Sequence, residues 1–456
     1  MRHPLRRLSH ALRLSKPRDM STTGTSDPSA LAQFLSSAKE KYLSDISATP
    51  SRGGEWTVVM GNEAGDLDSL ASSIGFAWFQ SEVHKKPTIP LLQLERDDLD
   101  LRAENLYALH QAGISDPKSQ LLFLTDLAGH SPFPRTPSHW STTTASARPT
   151  RSPTRPTNPR TIVPCGSCAS HVAELISAST SAENVQVPVP AELATLLLSA
   201  ILIDTNGLKP GGKAVATDNS AAFFLAPRST LAAALPATVQ QDDPKALHDA
   251  QAIREFTRSL ADKKTDVSHL SGRDLLRRDY KDYVYTLAWM GEGGEGTEVK
   301  AGLASVPLSL KVWGSDGKLE EAVIPWMQER GIAVLGVLTS YRAGGKKGKN
   351  GKGKHKRQMA WVVHDAAVKE DSEAEAVAGK EKGIEVEKIA EMLWKGLEAS
   401  KELKLKKHKK FDVEKAGRLP AGAKARVYKQ GNVDATRKVT APLLKNILEA
   451  PEAADK

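Results

Sequence analysis

Short apolar runs alternate with helical segments through the first part of the chain, and this alternation constrains the fold more than any other feature. VVM (58–60), TIPLLQL (88–94) and QLLFLT (120–125) have the lengths of buried strands, and helical text lies before the first run and between the later ones. Strands that alternate with helices pair in parallel, and the helices then cover both faces of the sheet. The pattern therefore predicts an α/β fold with a doubly wound, mostly parallel sheet.

A change of pattern near residue 240 divides the chain into two predicted domains. A chain of 456 residues is long enough for two or three domains. We predict the parallel sheet within residues 29–235 and a smaller α+β domain within residues 245–456.

Inside the second predicted domain, helical text precedes several strands. Residues 245–283 have a helical pattern, and LASVPLSLKVW (303–313) has the character of a strand. A basic loop at residues 343–358 is predicted to join two strands of one sheet, and residues 380–407 have the pattern of one long charged helix.

The charge of the chain is uneven and favours a polyanionic partner. The net charge is +9, and much of the positive charge lies in three runs, at residues 1–18, 346–357 and 401–410. Runs of this kind also occur as solvated surface or disorder. Nucleic acid is disfavoured as the partner, because no aromatic residues interleave the lysine runs. No apolar run reaches transmembrane length, so we expect no membrane partner.

Cysteine usage and the N-terminal composition bear on the compartment. The chain has two cysteines, Cys165 and Cys168, which fits a reducing compartment, and a single CxxC pair is too small for a closed zinc site. We therefore expect a cytoplasmic protein. Residues 1–28 begin with many arginines, no acid before Asp19 and leucines at helical spacing, which resembles a mitochondrial transit peptide. The alternative is that the true start is Met20 and the leader is spurious.

Two carboxylates follow the first predicted strand. Asp66 and Asp68 lie in the loop GNEAGDLDS (61–69), which leads from the strand into a helix. Carboxylate oxygens are the ligands that Mg²⁺ and Mn²⁺ prefer, and two such ions bridge a phosphate and activate water. The alternative is that one of them only caps the helix. Asp204 ends a long apolar helix that runs toward the same loop, and its alternative role is also a cap or turn residue.

Cations and backbone N–H groups at two predicted helix starts form a second candidate site. Arg437 and Lys438 follow a Gly/Asn turn, where two cations and free N–H groups can bind phosphate together. The alternative for this pair is a solvated helix face. Gly166 and Ser167 open another helix and offer further N–H groups.

Several blocks, taken in order along the chain, resemble one family. GNEAGDLDSLASSI (61–74) resembles motif I of the DHH phosphoesterase superfamily, in the form carried by fungal exopolyphosphatases, with Asn62 in place of the usual first histidine. Further blocks resemble the family in the same order: PCGSCAS (164–170), AILIDTNGL (200–208), GGKAVATDN (211–219), LLRRDYKDY (275–283) and QGNVDATRKVTAPLL (430–444). The resemblance covers nearly the whole chain from about residue 30 and includes a C-terminal DHH-associated domain.

The resemblance implies an activity and a set of site residues. It implies an enzyme, an exopolyphosphatase that hydrolyses the terminal phosphoanhydride bond of inorganic polyphosphate with Mn²⁺ or Mg²⁺ in a two-metal site. The implied metal ligands are Asp66, Asp68 and Asp204. The implied substrate-binding residues are Asn62, Gly166, Ser167, Arg437 and Lys438. Two alternatives stay open: an inorganic pyrophosphatase or cyclic-nucleotide phosphodiesterase of the same superfamily, and an inactive module that binds polyphosphate or a protein.

Two family motifs are missing from this chain. Motifs II and III carry Asp-His-Asn and Asp-His-His sequences, but the chain has 12 histidines and no His-His pair. In the expected region, residues 131–160 are a low-complexity segment of Pro, Ser, Thr and Arg. The codons for SHWSTTTASA (138–147) can also be translated in a frame that begins one base earlier. If serine and threonine use TCN and ACN codons, the shifted frame allows L-V-D-H-N-R-L, which is the motif II pattern. We therefore expect residues 131–160 to be a frame-shifted translation; the alternative is a genuine low-complexity insert. Because the residues of motifs II and III are missing, the catalytic residues stay unknown, and we expect weak metal binding and little activity.

Overall fold

The structure is a computed structural model, which describes part of the chain. The described residues are 29–62, 64–129, 163–180, 187–236, 244–290, 296–343, 353–365, 384–409, 411, 413 and 417–450. The predicted leader at residues 1–28, Glu63 of the opening loop and the low-complexity segment at 131–160 lie outside the described residues.

Three short parallel strands form the first sheet, in the order β1-β2-β3. They are β1 (Thr57–Met60), β2 (Thr88–Leu92) and β3 (Leu122–Phe123). Each strand lies in one of the predicted apolar runs, and the central strand β2 is buried along its whole length. This sheet confirms the predicted α/β fold class. The third run forms only a short strand, because a 3₁₀ turn begins at Leu124.

Seven helices accompany this sheet in the described residues, and we call the whole the parallel-sheet region. They are α1 (Ala30–Ser47), α2 (Leu67–Trp78), α3 (Ala103–Gln111), α4 (Pro117–Gln120), α5 (Cys168–Thr180), α6 (Ala191–Thr205) and α7 (Ala216–Leu225). Every residue of α2 is buried. Small residues allow α2 to pack closely on α5 and α6: a Cβ at Gly75 would lie 2.9 Å from Leu197 and 3.1 Å from Val172. This packing fixes the start of α2 beside the start of α5.

Six strands form a second, mixed sheet in the order β4-β5-β6-β7-β9-β8. They are β4 (Tyr280–Leu287), β5 (Thr297–Val306), β6 (Val334–Ala343), β7 (Lys354–Val363), β8 (Leu405–Lys407) and β9 (Lys424–Gln430). Strands β5 and β6 are parallel, and the other neighbours are antiparallel.

Five described helices of this second part, which we call the mixed-sheet region, cover both faces of the sheet. They are α10 (Gly272–Arg277), α11 (Leu310–Trp313), α12 (Lys318–Arg330), α13 (Val386–Ala399) and α14 (Arg437–Leu448). The two helices before them, α8 (Pro244–Asp249) and α9 (Gln251–Thr265), add to the parallel-sheet region instead, because Leu247 and Leu260 belong to its apolar cluster. Leu393 of α13 and Leu444 of α14 share an apolar cluster with Trp361 of β7. Leu276 of α10 and Val323 of α12 belong to another cluster, on the opposite face. No described helix has the length and apolar character needed to cross a membrane.

The second region differs from the predicted elements at several boundaries. Residues 380–407 do not form one helix: α13 ends at Ala399, the backbone takes a left-handed turn at Lys404 (φ 53°), and β8 follows. Strand β7 begins at Lys354, inside the predicted basic loop, because its ladder with β6 continues to the Ala343–Lys354 pair.

Two further element boundaries differ from the predicted ones. The helical pattern predicted to reach residue 283 gives way to β4 at Tyr280, where the chain joins the edge of the mixed sheet. The predicted strand at 303–313 ends at Val306, and Leu310–Trp313 form the short helix α11 instead.

A buried ionic network joins the two regions. The Arg278 Nε–H donates to the Leu101 carbonyl at 2.8 Å, and its Nη2 lies 3.1 Å from Oε1 of Glu104. Arg102 donates back to the Arg278 carbonyl at 2.8 Å. All three charged side chains are buried, so two cations share one carboxylate where α10 meets α3. This network fixes residue 279, next along the chain, relative to the parallel-sheet region.

Candidate functional site

The loop that holds the first predicted carboxylate folds tightly against α2. A Cβ at Gly61 would lie 2.6 Å from Cβ of Ser69, so only glycine allows this approach. Asp66 is the N-cap of α2, and its Oδ1 accepts a hydrogen bond from the Ser69 N–H at 2.9 Å. Asn62 closes a local turn, since its Oδ1 accepts from the Ala64 N–H at 2.9 Å. Asp66 therefore has the capping role that was one of its two predicted roles.

Asp68 reaches across to the start of α5. Its Oδ1 accepts from the Ser167 hydroxyl at 2.6 Å and from the Ala169 N–H at 2.9 Å, and its Oδ2 accepts from the Cys168 N–H at 3.0 Å. The side chain is buried, and burial raises the pKa of Asp68 although these hydrogen bonds oppose the shift. Both carboxylate oxygens are thus used to satisfy a helix start.

A second carboxylate, Asp218, occupies the rest of the same helix start. It accepts from the Gly166 N–H at 2.8 Å, from the Ser167 N–H at 3.2 Å and from the Ser170 hydroxyl at 2.6 Å. Gly166 is required there, because a Cβ would lie 2.7 Å from Cγ2 of Thr205 and 2.8 Å from Oδ2 of Asp218. The N–H groups of Gly166 and Ser167, which we expected to bind substrate, are bonded to this side chain of the same chain.

Asp204 lies near the end of α6 and shares the electrostatic environment of the other two carboxylates. Burial, the charge of Asp68 and the charge of Asp66 raise the pKa of Asp204 to about 7, while Lys264 opposes the shift. Each nearby negative charge makes ionisation of the next carboxyl group harder. The three predicted metal ligands therefore lie within electrostatic reach of one another.

The donor atoms in this arrangement do not fit a metal ion. Asp68 uses both oxygens on α5, and Asp66 caps α2. Within the described ranges, no three His, Cys, Asp or Glu side chains are grouped so that they could hold a metal. A metal at Asp66, Asp68 and Asp204 would require Asp68 to leave the start of α5.

Arg437 is held at the start of α14 in the mixed-sheet region. Its Nη1–H donates to the Asp279 carbonyl at 2.9 Å, and its Nη2–H donates to Oδ1 of Asp279 at 2.8 Å. Burial by itself would raise the pKa of Asp279, but the positive charges of Arg437 and Arg102 lower it below its usual value. Lys438 follows as an exposed residue in the first turn. Arg437 is therefore an ordered cation rather than a solvated one.

Four more polar side chains, which sequence reasoning did not single out, lie on β6 and β7. Ser340 lies opposite Arg357, and Arg342 lies opposite His355. The Ser340 Oγ is 2.9 Å from Nε2 of His355, and the Arg357 Nε–H donates to the Val433 carbonyl at 2.6 Å. Burial and then the charges of Arg357 and Arg342 lower the pKa of His355. The sequence signal is HKR (355–357), which lies inside the segment 343–358 that the sequence predicts as a basic loop.

Comparisons with known proteins agree with the motif pattern. The DHHA2 domain family matches residues 258–447. Exopolyphosphatase PRUNE1 of Rattus norvegicus is 27% identical over 267 residues, which are 53% of this chain and 52% of that protein. A Schizosaccharomyces pombe protein named "Putative exopolyphosphatase" is 28% identical over 294 residues, 58% of this chain and 71% of that protein. This chain thus spans about half the length of the rat relative.

A separate comparison with solved structures finds a match of lower sequence identity. A Methanococcus jannaschii protein named "putative family II inorganic pyrophosphatase" has a TM-score of 0.43 at 17% identity, over 86% of this chain and 99% of that chain.

The sequence matches agree with the resemblance to the DHH superfamily. Residues 258–447 match the DHHA2 domain, and the relatives are named exopolyphosphatases. The narrower resemblance to fungal members and the loss of two motifs stay predictions.

Proposed function

We propose that this protein binds inorganic polyphosphate and descends from enzymes that hydrolyse its terminal phosphoanhydride bond. The observation that carries the proposal is Arg437, an ordered cation at a helix start inside the stretch that matches the DHHA2 domain. A helix start and a fixed guanidinium together favour a phosphate group. In this proposal Arg437 and Lys438 bind the terminal phosphates, and pyrophosphate is the shortest ligand of the same class.

We further propose that the chain with the present sequence, including residues 131–160, hydrolyses polyphosphate slowly. Mn²⁺ or Mg²⁺ would need carboxylate oxygens of Asp66, Asp68 and Asp204, and both oxygens of Asp68 are already hydrogen-bonded. Binding such an ion requires breaking the hydrogen bonds of Asp68 to Ser167, Cys168 and Ala169, and this cost weakens metal binding. The reducing compartment that the cysteine usage favours is the cytoplasm, unless the N-terminal leader directs the chain to the mitochondrial matrix.

The test is a paired assay of binding and turnover. The full chain is incubated with polyphosphates of defined length, with pyrophosphate and with a cyclic nucleotide, each with Mn²⁺ or Mg²⁺, and phosphate release and equilibrium binding are measured. We expect binding of polyphosphate with little release. No binding at any length would overturn the proposed function, and rapid release would overturn the predicted impairment.

Sequencing the transcript across residues 126–165 provides the matched comparison. If the transcript encodes a different segment there, the corrected protein is expected to release phosphate faster than the literal chain under the same conditions. A transcript that encodes SHWSTTTASA in frame with both flanks would contradict the frame-shift hypothesis.

A second candidate is an inactive polyphosphate-binding module. The saturation of Asp68 by donors from α5 favours it, because such a carboxylate has a structural role already. This candidate is supported if the protein encoded by a different transcript across residues 126–165 binds polyphosphate but shows no metal-dependent turnover.

A further inference from the structure

Four side chains on β6 and β7 form a polar group that projects from one face of the mixed sheet. We call Ser340, Arg342, His355 and Arg357 the hairpin cluster. Residues opposite each other on neighbouring antiparallel strands have Cβ atoms about 4.5–5.5 Å apart. Arg342 faces His355 in this way, and Ser340 faces Arg357. The cluster therefore brings two arginines, one histidine and one hydroxyl group together.

Within the described part of the chain, the arginines of this cluster donate to main-chain carbonyls rather than to carboxylates. The Arg342 Nη1–H donates to the Gly353 carbonyl at 3.3 Å and the Arg357 Nε–H to the Val433 carbonyl at 2.6 Å, while Asp434 is near enough to act on Arg357 and His355. Arg357 is partly buried, and burial lowers its pKa, which shows that its charge is costly to hold there. A bound anion would offset that cost.

The hairpin cluster and Arg437 lie on either side of one turn. Arg357 donates to the carbonyl of Val433, and the chain then reaches Arg437, the first residue of α14, four positions later. Asp279, which holds Arg437, directly precedes β4 of the same sheet, and its main-chain carbonyl accepts from the Ser305 N–H at the end of β5. The two cationic groups thus face the same end of the sheet.

We propose that the hairpin cluster is a second phosphate subsite, which binds internal phosphates of a linear polyphosphate whose terminal group lies at Arg437. The inference rests on the proposed function and adds to it a preference for chains longer than pyrophosphate. Pyrophosphate reaches Arg437 and Lys438 only, whereas a longer chain also contacts Arg342, His355 and Arg357. Linear polyphosphate is favoured over nucleic acid because the cluster contains no Phe, Tyr or Trp ring for base stacking.

The opposite face of the same hairpin supplies a matched control. Side chains alternate between faces along a strand, so Lys354 and Lys356 project away from His355 and Arg357. Arg342→Gln with Arg357→Gln removes two positive charges from the hairpin cluster. Lys354→Gln with Lys356→Gln removes two positive charges from the same hairpin without touching the cluster.

The experiment measures metal-free equilibrium binding of pyrophosphate and of a long polyphosphate to the full chain and to both double variants. We expect R342Q/R357Q to weaken binding of long polyphosphate by about ten-fold, because two partly exposed charged contacts are lost, and to change pyrophosphate binding by about two-fold or less. K354Q/K356Q should weaken both ligands equally and by a small factor.

Other outcomes overturn the inference in distinguishable ways. Equal losses in the two double variants would mean general electrostatic attraction, and an unchanged length preference in R342Q/R357Q would remove the subsite while leaving the proposed function intact. Failure of the unaltered chain to bind any polyphosphate would remove both. Displacement of long polyphosphate by a single-stranded oligonucleotide at equal concentration would show a general polyanion site and contradict the proposed specificity.

The single variant Arg342→Gln guards against loss of folding. Arg342 is exposed, so its replacement should leave thermal unfolding unchanged. Its binding of long polyphosphate should still fall by about three-fold relative to pyrophosphate, since one exposed charged contact is lost.

Discussion

Asp279 and Arg437 are 158 positions apart and meet through two hydrogen bonds, one to the main-chain carbonyl and one to the side-chain carboxylate of Asp279. The contact joins the residue before β4 to the first residue of α14. Because the preceding residue, Arg278, is buried against Glu104, the position of Arg437 depends on how the mixed-sheet region meets the parallel-sheet region.

The first prediction concerns the acid stability supplied by Asp279. The pKa of this carboxyl is below its usual value in the folded protein, so its stabilising contribution is complete above the unfolded pKa of about 4 and is lost as the pH falls through the folded value. Asp279→Asn should therefore lower the free energy of unfolding by about 1–3 kcal/mol at pH 7, and the difference from the unaltered chain should shrink toward pH 3. Urea unfolding between pH 3 and 7 measures it.

Asp282 is the control for that measurement. Its carboxylate pairs with Lys300 and Arg330, both more exposed than Arg437, and a surface ion pair contributes about 0–1 kcal/mol. Asp282→Asn should therefore have the smaller effect. If the two variants lost the same free energy of unfolding at pH 7, the contact between Asp279 and Arg437 would stabilise the fold no more than a surface ion pair does.

A second prediction separates the two carboxylates of the opening loop. Asp68→Ala leaves the buried N–H groups of Cys168 and Ala169 without acceptors and should lower the free energy of unfolding by about 2–4 kcal/mol. Asp66→Ala removes one N-cap and should cost about 1 kcal/mol. Metal-free thermal unfolding of both variants gives the comparison, and equal shifts would refute a special structural role for Asp68.

The third prediction concerns the glycine at the start of α5. Gly166→Ala places a Cβ 2.7 Å from Thr205 and 2.8 Å from Asp218, so it should lower the free energy of unfolding by about 1–3 kcal/mol. Gly54→Ala is the control, since a Cβ there meets nothing within 4 Å. Chemical denaturation of the two variants is the measurement. A harmless Gly166→Ala would mean that α5 does not start as closely against α6 and α7 as the structure has it.

The fourth prediction is a pH dependence of polyphosphate binding through His355. Burial and the charges of Arg342 and Arg357 lower its pKa in the free protein, while Asp434 opposes the shift and Ser340 holds the ring. A bound polyanion favours the protonated ring, so affinity should rise as the pH falls from about 7.5 to 5.5, below the ordinary histidine pKa of about 6.5.

The variant that checks this assignment is His355→Asn. It should bind long polyphosphate with a much flatter pH profile than the unaltered chain, while its pH profile with pyrophosphate should match that of the unaltered chain. A profile that stays steep in His355→Asn would assign the titration to another group.

Local periodicity was enough to predict the parts of the fold in which apolar side chains decide the structure. Strands β2 and β3 and the helix that ends near Asp204 are buried along most of their length, and their sequences show it. Strand β8 follows α13 after a turn at Lys404, a backbone conformation that charge and hydropathy do not encode. Strand β7 was cut short in the prediction because its first residues, from Lys354, are charged and lie at the open end of the sheet.

The site was harder to predict because its contacts are distant in sequence. Asp68 could be recognised as a buried carboxylate candidate, but its partners Cys168 and Ala169 lie about a hundred positions away. Asp279 was within a noted motif, yet its pairing with Arg437 depends on the packing of α14 beside β4. The assignment of Asp66, Asp68 and Asp204 to a metal stays a prediction.

The start of α5 and the hairpin cluster differ in where their counterions come from. Asp68 and Asp218 belong to the chain itself, so the helix start is neutralised as soon as the parallel-sheet region folds. Among the described residues, Arg342 and Arg357 contact main-chain carbonyls rather than carboxylates, so an anion from solution can lie beside them. Replacing chloride by sulfate or phosphate in the buffer should therefore protect the amides of the mixed-sheet region from hydrogen exchange more than those around α5.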